Sequence, residues 1–178
     1  MNTKKIFLTL AFIFVAGASA FAQRFAYVDS EYILKHIPEY VSAQRQLEDM
    51  SAKWQKEVDA RYASIERMYK AYQQDQVMLS DEMRRKREDE IVEKERETKE
   101  FQKKIFGFEG DLYKERLKLI QPIQDRVTKA IQAVAESQNL DIVLDKGSEV
   151  TILYSNPSLD KSKDVITRLG YKPDALAK

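Results

Sequence analysis

Residues 81–100 read "DEMRRKREDEIVEKERETKE", and sixteen of these twenty residues are charged. A run of this kind cannot form a conventional core, yet it holds no Gly or Pro and is rich in strong helix formers. Its sparse apolar residues decide what it is. Met83 and Ile91 are followed by Thr98, Phe101, Ile105, Phe108 and Leu112, which recur at steps of three, four, three and four. That spacing is the narrow stripe of a helix that lies against another helix.

The partner lies upstream. From about Glu39, the residues Leu47, Met50, Trp54, Val58, Tyr62, Ile65, Tyr69 and Tyr72 recur at steps of three or four along one stripe. The pattern breaks at "MLSDEM", residues 78–83, where Ser80 can cap a new helix and Asp81 and Glu82 sit favourably in its first turn. The sequence therefore predicts an antiparallel helical hairpin over residues 43–112 with its tip near residue 79. A first arm from about 41 to 78 would be ~57 Å long at the helical rise, too long for any globule this chain could make. The hairpin must project into solvent.

Both ends of the chain are expected to form a small α+β body, residues 23–42 and 113–178. "RFAYVDSEYILKHIPEY", residues 24–40, opens with a β-prone run, Phe25 to Val28, and Asp29 or Ser30 can cap a short helix. Pro38 suits the first turn of the next one. After the hairpin, Ile123, Val127, Ala130, Ile131 and Val134 continue an apolar face. "LDIVLDKGSEVTILYSN", residues 140–156, then reads as two strands, Ile142 to Leu144 and Val150 to Tyr154, joined as a hairpin by a short Gly-containing turn. A last helix is expected to be capped by Asp160 and ended by Gly170. Three short strands leave open sheet edges, and closure by further copies of the chain would cover them.

Within "KKIFGFEGDLYKE", residues 103–115, Gly107 and Gly110 interrupt what reads as continuous helix, each at a cost of about 1 kcal/mol relative to alanine. Either they make room for the Trp54 indole on the first arm, or they mark a pivot between body and hairpin. Alanine at both should then raise helix stability if the sites are uncrowded. Pro122, which removes the hydrogen bond to Lys118, is a third hinge candidate expected to kink or break the arm.

Residues 1–22, "MNTKKIFLTLAFIFVAGASAFA", combine a basic start, a short apolar run and Ala20-x-Ala22, the pattern of a cleaved secretory signal peptide. Its removal takes Lys4 and Lys5 and no acid, so acids then exceed bases by one. Such a balance predicts no nucleic-acid partner. There is no cysteine, hence no disulfide. One histidine, His36, sits at a helix junction suited to packing or capping, and no Gly-rich phosphate loop is present; neither catalysis nor a cofactor is expected.

Taken together, the opening "FAYVDSEYIL", the charged hairpin, the passage "QPIQDRVTKAIQAVAESQNLDIVLDKG" and the final strand and helix resemble the Skp/OmpH family of periplasmic chaperones. The resemblance implies a homotrimer whose strands close a β-barrel body and whose three hairpins hang as coiled-coil tentacles around a cavity. It implies an ATP-independent holdase for unfolded outer-membrane β-barrel proteins. Val28, Ile142, Leu144, Ile152 and Tyr154 would belong to the barrel, with Val127, Ile131 and Val134 on helices beside it. Trp54, Tyr62, Tyr69, Tyr72, Met78, Met83, Phe101 and Phe108 are the candidate client-binding residues. Some of these aromatic side chains serve the seam between the arms if helical spacing alone decides. The tip patch Arg84, Arg85, Lys86 and Arg87 is a candidate for transient contact with membrane or lipopolysaccharide; its plainer reading is local pairing with Glu88, Asp89 and Glu90. The near-neutral charge departs from the basic character common in the family and shifts client holding toward apolar contacts. A structural coiled-coil envelope protein that docks one folded partner is the competing reading. It should favour a continuous seam, whereas this one thins between Met83 and Thr98.

Overall fold

The computed structural model describes residues 24–148 and 152–176; the expected signal peptide lies outside the described residues. Strand β1 (Phe25–Val28) leads into helix α1 (Ser30–Lys35) and then into the 38-residue helix α2 (Pro38–Asp75). Helix α3 (Asp81–Phe106) returns beside α2, and the chain continues through α4 (Asp111–Ser137), strand β2 (Ile142–Asp145), a 3-10 turn (Pro157–Leu159) and α5 (Ser162–Arg168). The architecture is a long helical hairpin on a small body with a two-stranded sheet.

Local chemistry sets most of these boundaries. The Asp29 carboxylate accepts the Tyr32 N–H at 2.8 Å and starts α1. Pro38 occupies the first turn of α2, where no intrahelical donor is needed. At the tip, the Ser80 hydroxyl accepts the Met83 N–H at 3.3 Å, and Asp81 and Glu82 stand in the first turn of α3. Asp160 accepts the Ser162 N–H at 2.8 Å ahead of α5, and Gly170 adopts φ 88°, the left-handed conformation that ends a helix.

The body core is one cluster. Ile33 and Ile37 pack with Ile120, Ile123, Val127 and Val134 on one side of α4 and with Val165 and Ile166 of α5. Ile33, Ile37, Val165 and Ile166 are completely buried, and each such side chain contributes about 1.5–3 kcal/mol at most. His36 is buried too, with Nδ1 2.8 Å from the Tyr32 carbonyl oxygen and its ring against that of Tyr32. A further polar clamp, Glu39 with Arg126 and Tyr171, ties the start of α2 to α4 and the C-terminal segment; the Tyr171 hydroxyl donates to the carboxylate at 2.9 Å.

Three features depart from the expectations or add to them. First, β2 pairs with β1 in parallel, from Phe25 beside Ile142 to Val28 beside Asp145, a pairing that the sequence reading did not anticipate. Of that expected third strand, Val150 and Thr151 lie outside the described residues, while Ile152 and Tyr154 are in no strand. The long excursion through the helical hairpin supplies the crossover that a parallel pair needs. Second, Gly107 and Gly110 are not inside a helix. They close α3 and open α4, both with extended backbone (φ −71° and −67°), and Glu109 between them takes φ 52°. A Cβ at Gly107 would collide with the Lys103 carbonyl oxygen; one at Gly110 would stand 2.5 Å from that of Ile105. The close neighbours are backbone atoms and not the Trp54 indole, so the glycines admit a tight elbow. Third, α4 runs unbroken through Pro122. Pro122 lies on the exposed side of the helix, where water can satisfy the freed Lys118 carbonyl.

Candidate binding surface of the hairpin

Only a thin seam joins the arms. Val58 and Ile65 of α2 are buried against α3, which contributes Ile91, Thr98 and Ile105, spaced by sevens. Thr98 is 3% exposed, and its hydroxyl donates to its own helix, at 2.8 Å to the Lys94 carbonyl oxygen. It thus occupies a seam position without bonding the opposite arm.

The candidate aromatic residues divide between seam edge and open surface. The Tyr62 hydroxyl donates to Gln102 Oε1 at 3.2 Å, and the Tyr72 hydroxyl donates to Glu88 Oε1, so both tie the arms together. That hydrogen bond to a carboxylate raises the Tyr72 pKa, and desolvation adds to the shift. Phe101 is half-buried beneath the Arg61 guanidinium, 4.1 Å from its ring centroid, and Trp54 is half-buried on α2. Tyr69, Met78, Met83 and Phe108 are open to solvent. Phe108 departs most from its expected place in the seam stripe: with α3 ended at Phe106, it sits on the elbow and is 97% exposed.

Two groups of exposed apolar side chains stand out, with Tyr69 and Val92 exposed on the arm between them. At the tip stand Val77, Met78 and Met83; at the elbow stand Phe108, Tyr113 and Leu117. Val77, Tyr113 and Leu117 were not among the sequence candidates. Tyr113 and Leu117 are four residues apart just after Gly110, a pattern visible once the glycines are read as a helix break. Beside the elbow, α2 and α4 diverge around a groove of about 600 Å³, with Tyr40, Leu47, Leu112 and Ile120 on its walls and Glu48 and Arg116 among its polar residues.

The basic patch is only partly engaged. Arg84 turns back toward the tip, 3.3 Å from the Leu79 carbonyl oxygen and 3.6 Å from Asp81, and Arg87 lies 3.6 Å from Glu90. The expected pairings of Arg84, Arg85 and Lys86 four residues ahead do not form. Basic-before-acidic is the weaker order at that spacing, and Glu88 is taken by Tyr72. Among the described residues Arg85 and Lys86 make no ion pair. Farther along α3 the charges pair within the helix: Arg96 with Glu93 and Glu100, both at 2.5 Å, and Lys94 with Glu97 at 2.8 Å. Hydrogen bonds from the guanidinium to the two carboxylates hold Arg96 still more firmly protonated. Such exposed pairs contribute little individually, and their consequence is a locally neutralised surface.

In the body, Val28, Val127 and Val134 are buried in the chain's own core and Ile131 packs at its margin. Ile142 and Leu144 point away from it at 45% and 43% exposure, alongside Phe25 at 42%. Ile152 is half-buried and Tyr154 is 84% exposed. Among the described residues no group of three or more acidic, His or Cys side chains is placed to hold a metal, and no helix is long and apolar enough to cross a membrane.

Comparison with known proteins gives concordant matches. The family model described as "Outer membrane protein (OmpH-like)" matches residues 24–169. The Yersinia enterocolitica protein named "Chaperone protein Skp" is 26% identical over 161 residues, spanning 90% of this chain and 94% of its own. A Caulobacter crescentus crystal structure, described as a putative OmpH-like outer membrane chaperone, superposes with a TM-score of 0.66 at 12% identity, covering 83% of each chain.

Proposed function

Because this chain belongs to the OmpH-like outer membrane protein family, a family that includes chaperones, we propose that it is an ATP-independent periplasmic holdase for unfolded outer-membrane β-barrel proteins. In this reading residues 1–22 are cleaved on export, three copies assemble through their sheets, and clients are held between the three hairpins. The observation that carries the reading is the hairpin itself: two helices of 38 and 26 residues with five buried seam positions and apolar side chains left open at tip and elbow. A long arm with so little core is built to present surface.

The body supports assembly. Phe25, Ile142 and Leu144 share one face of the sheet with Tyr27, paired Phe25 beside Ile142 and Tyr27 beside Leu144; Tyr27 is buried, and the other three apolar side chains are exposed. β1 carries the bridge to Asp160 on its other side, whereas the outer edge of β2 meets no strand among the described residues. A neighbouring copy would cover both the face and the edge. Each open apolar site then occurs three times around one client, and weak contacts become sufficient because each added one is effectively intramolecular.

The test is light scattering on the purified mature protein, alone and with a denatured outer-membrane barrel diluted from urea. A trimer that keeps the client from aggregating without nucleotide is expected. A monomer that leaves the client to aggregate overturns the proposal, and a trimer that binds a folded envelope protein but no unfolded barrel favours the structural coiled-coil reading.

A further inference from the structure

Two of the three large apolar side chains exposed at the tip are methionines. Met78, in the turn between the arms, is 81% exposed, and Met83, in the first turn of α3, is 53% exposed; Val77 is the third. The other methionines on the hairpin, Met50 and Met68, are half-buried on α2. The seam beneath the tip is closed by Ile65 and Ile91, which carry no sulfur. The accessible thioethers are thus gathered where the arm offers apolar surface, and the packing that holds the arm together contains no exposed one.

We propose that Met78 and Met83 are an oxidation site through which hydroperoxides lower the grip of the hairpin tip. The thioether sulfur attacks one peroxide oxygen, a sulfur–oxygen bond forms and the oxygen–oxygen bond breaks. The sulfur is oxidised to the sulfoxide, and the peroxide is reduced: the departing oxygen takes the proton lost by the transferred one and leaves as water from hydrogen peroxide, or as the alcohol from an organic hydroperoxide. The product side chain is polar, so oxidation at two positions removes most of the tip's apolar surface. Val58, Ile65, Ile91 and Ile105 are untouched, so the hairpin stays folded while its tip becomes hydrophilic. A sulfoxide reductase acting on the same exposed side chains reverses the change. The consequence for clients rests on the holdase reading; the selectivity of oxidation does not.

The experiment treats the purified mature protein with limiting hydrogen peroxide, maps added oxygen by peptide mass spectrometry, and measures client affinity and helicity before and after. Met78 and Met83 are expected to react several-fold faster than Met50 and Met68, with helicity unchanged and the client Kd raised about two- to tenfold. The variant M78L/M83L, which keeps apolar side chains but no thioether at the tip, should have the same client Kd before and after treatment, whatever its starting value. M78Q/M83Q should be weak without peroxide. Oxidation of Met50 or Met68 at the same rate, a loss of helicity in step with oxidation, or an equal loss of affinity in treated M78L/M83L overturns the proposal. An untreated wild type with no affinity for any unfolded barrel counts against the holdase reading, while the mass map still decides the oxidation site.

Discussion

A single methyl group added at Gly110 tests the geometry of the elbow. On the observed backbone, the Cβ of alanine would stand 2.5 Å from the Ile105 carbonyl oxygen and 2.9 Å from the Lys104 carbonyl oxygen. Both belong to the last turn of α3, so neither can swing away as a flexible side chain would. Reaching even a tight 3.0 Å requires the backbone to give by about 0.5 Å. The conformation itself is not the obstacle, since φ −67° and ψ 177° are open to any residue. Alanine in fact gains about 0.4–1 kcal/mol by restricting the unfolded chain. Overpacking against an unyielding neighbour costs about 1–3 kcal/mol. The net expectation for Gly110→Ala is a loss of about 1–2 kcal/mol, and at about 2–4 °C per kcal/mol for a chain of this size the Tm should fall by about 2–8 °C. Thermal and urea unfolding monitored by far-UV circular dichroism measure it. A Tm at or above that of the wild type would refute the crowded elbow and restore the argument from helix propensity, under which both glycines are simply poor helix residues.

The seam, the clamp and the sheet each carry an expectation of their own. Thr98→Val should stabilise the hairpin by about 1 kcal/mol in urea titration, because the hydroxyl bonds only its own helix and its removal leaves no partner on the opposite arm stranded. Ile65→Ala should cost about 2–5 kcal/mol in the same titration, since the side chain is buried in a seam with few other members. Glu39 titrates below the usual glutamate range, first through the hydrogen bond from its own backbone and then through Tyr171 and Arg126. A depressed carboxylate contributes its stability above its unfolded pKa and loses it as pH falls through the folded value. Acid unfolding should therefore show wild type losing its margin over Glu39→Gln across that range, a margin held under about 1 kcal/mol by the solvent exposure of the clamp. Ile142→Ser with Leu144→Ser should lower the mass seen by light scattering while the thermal transition of the body's own core persists, because these side chains point away from that core.

Local rules made most of the elements readable. Asp29, Pro38, Ser80 and Asp160 act within three residues of themselves, and a sequence states such bonds directly. The apolar stripes likewise locate the hairpin, because the charged faces leave few side chains free to misplace. What escaped was decided by contacts distant in the chain. The partner of Ile142–Asp145 is a strand more than 110 residues earlier, and no signal near either strand names the other. The elbow escaped for a different reason: the steps from Ile105 to Phe108 to Leu112 keep helical spacing across a break that two glycines make possible. Periodicity cannot register a break that preserves its own count. The candidate binding residues were legible as apolar or aromatic, but exposure separates Tyr62 and Tyr72, bonded across the arms, from Met78, Met83 and Phe108, which are open.

Where the open apolar residues fall matters for how the arm could work. Had the exposed aromatics formed a single strip along the seam, binding and arm cohesion would draw on the same side chains, and gripping a client would compete with keeping the hairpin closed. Val58, Ile65, Ile91 and Ile105 hold the arms, and the most open large side chains of the hairpin, Val77, Met78 and Phe108, stand at its tip and elbow, with Tyr62, Tyr69 and Val92 exposed to a lesser degree between them. Between the clusters, α3 pairs charges within the helix through Arg96, Glu93 and Glu100, and the exposed apolar side chains there are Tyr62, Tyr69 and Val92. On the holdase reading proposed above, such an arm would meet a flexible client chiefly at its tip and at its elbow. The elbow glycines then set the angle between those points and the body, which makes the crowding at Gly110 a determinant of the arm's direction as well as of its stability.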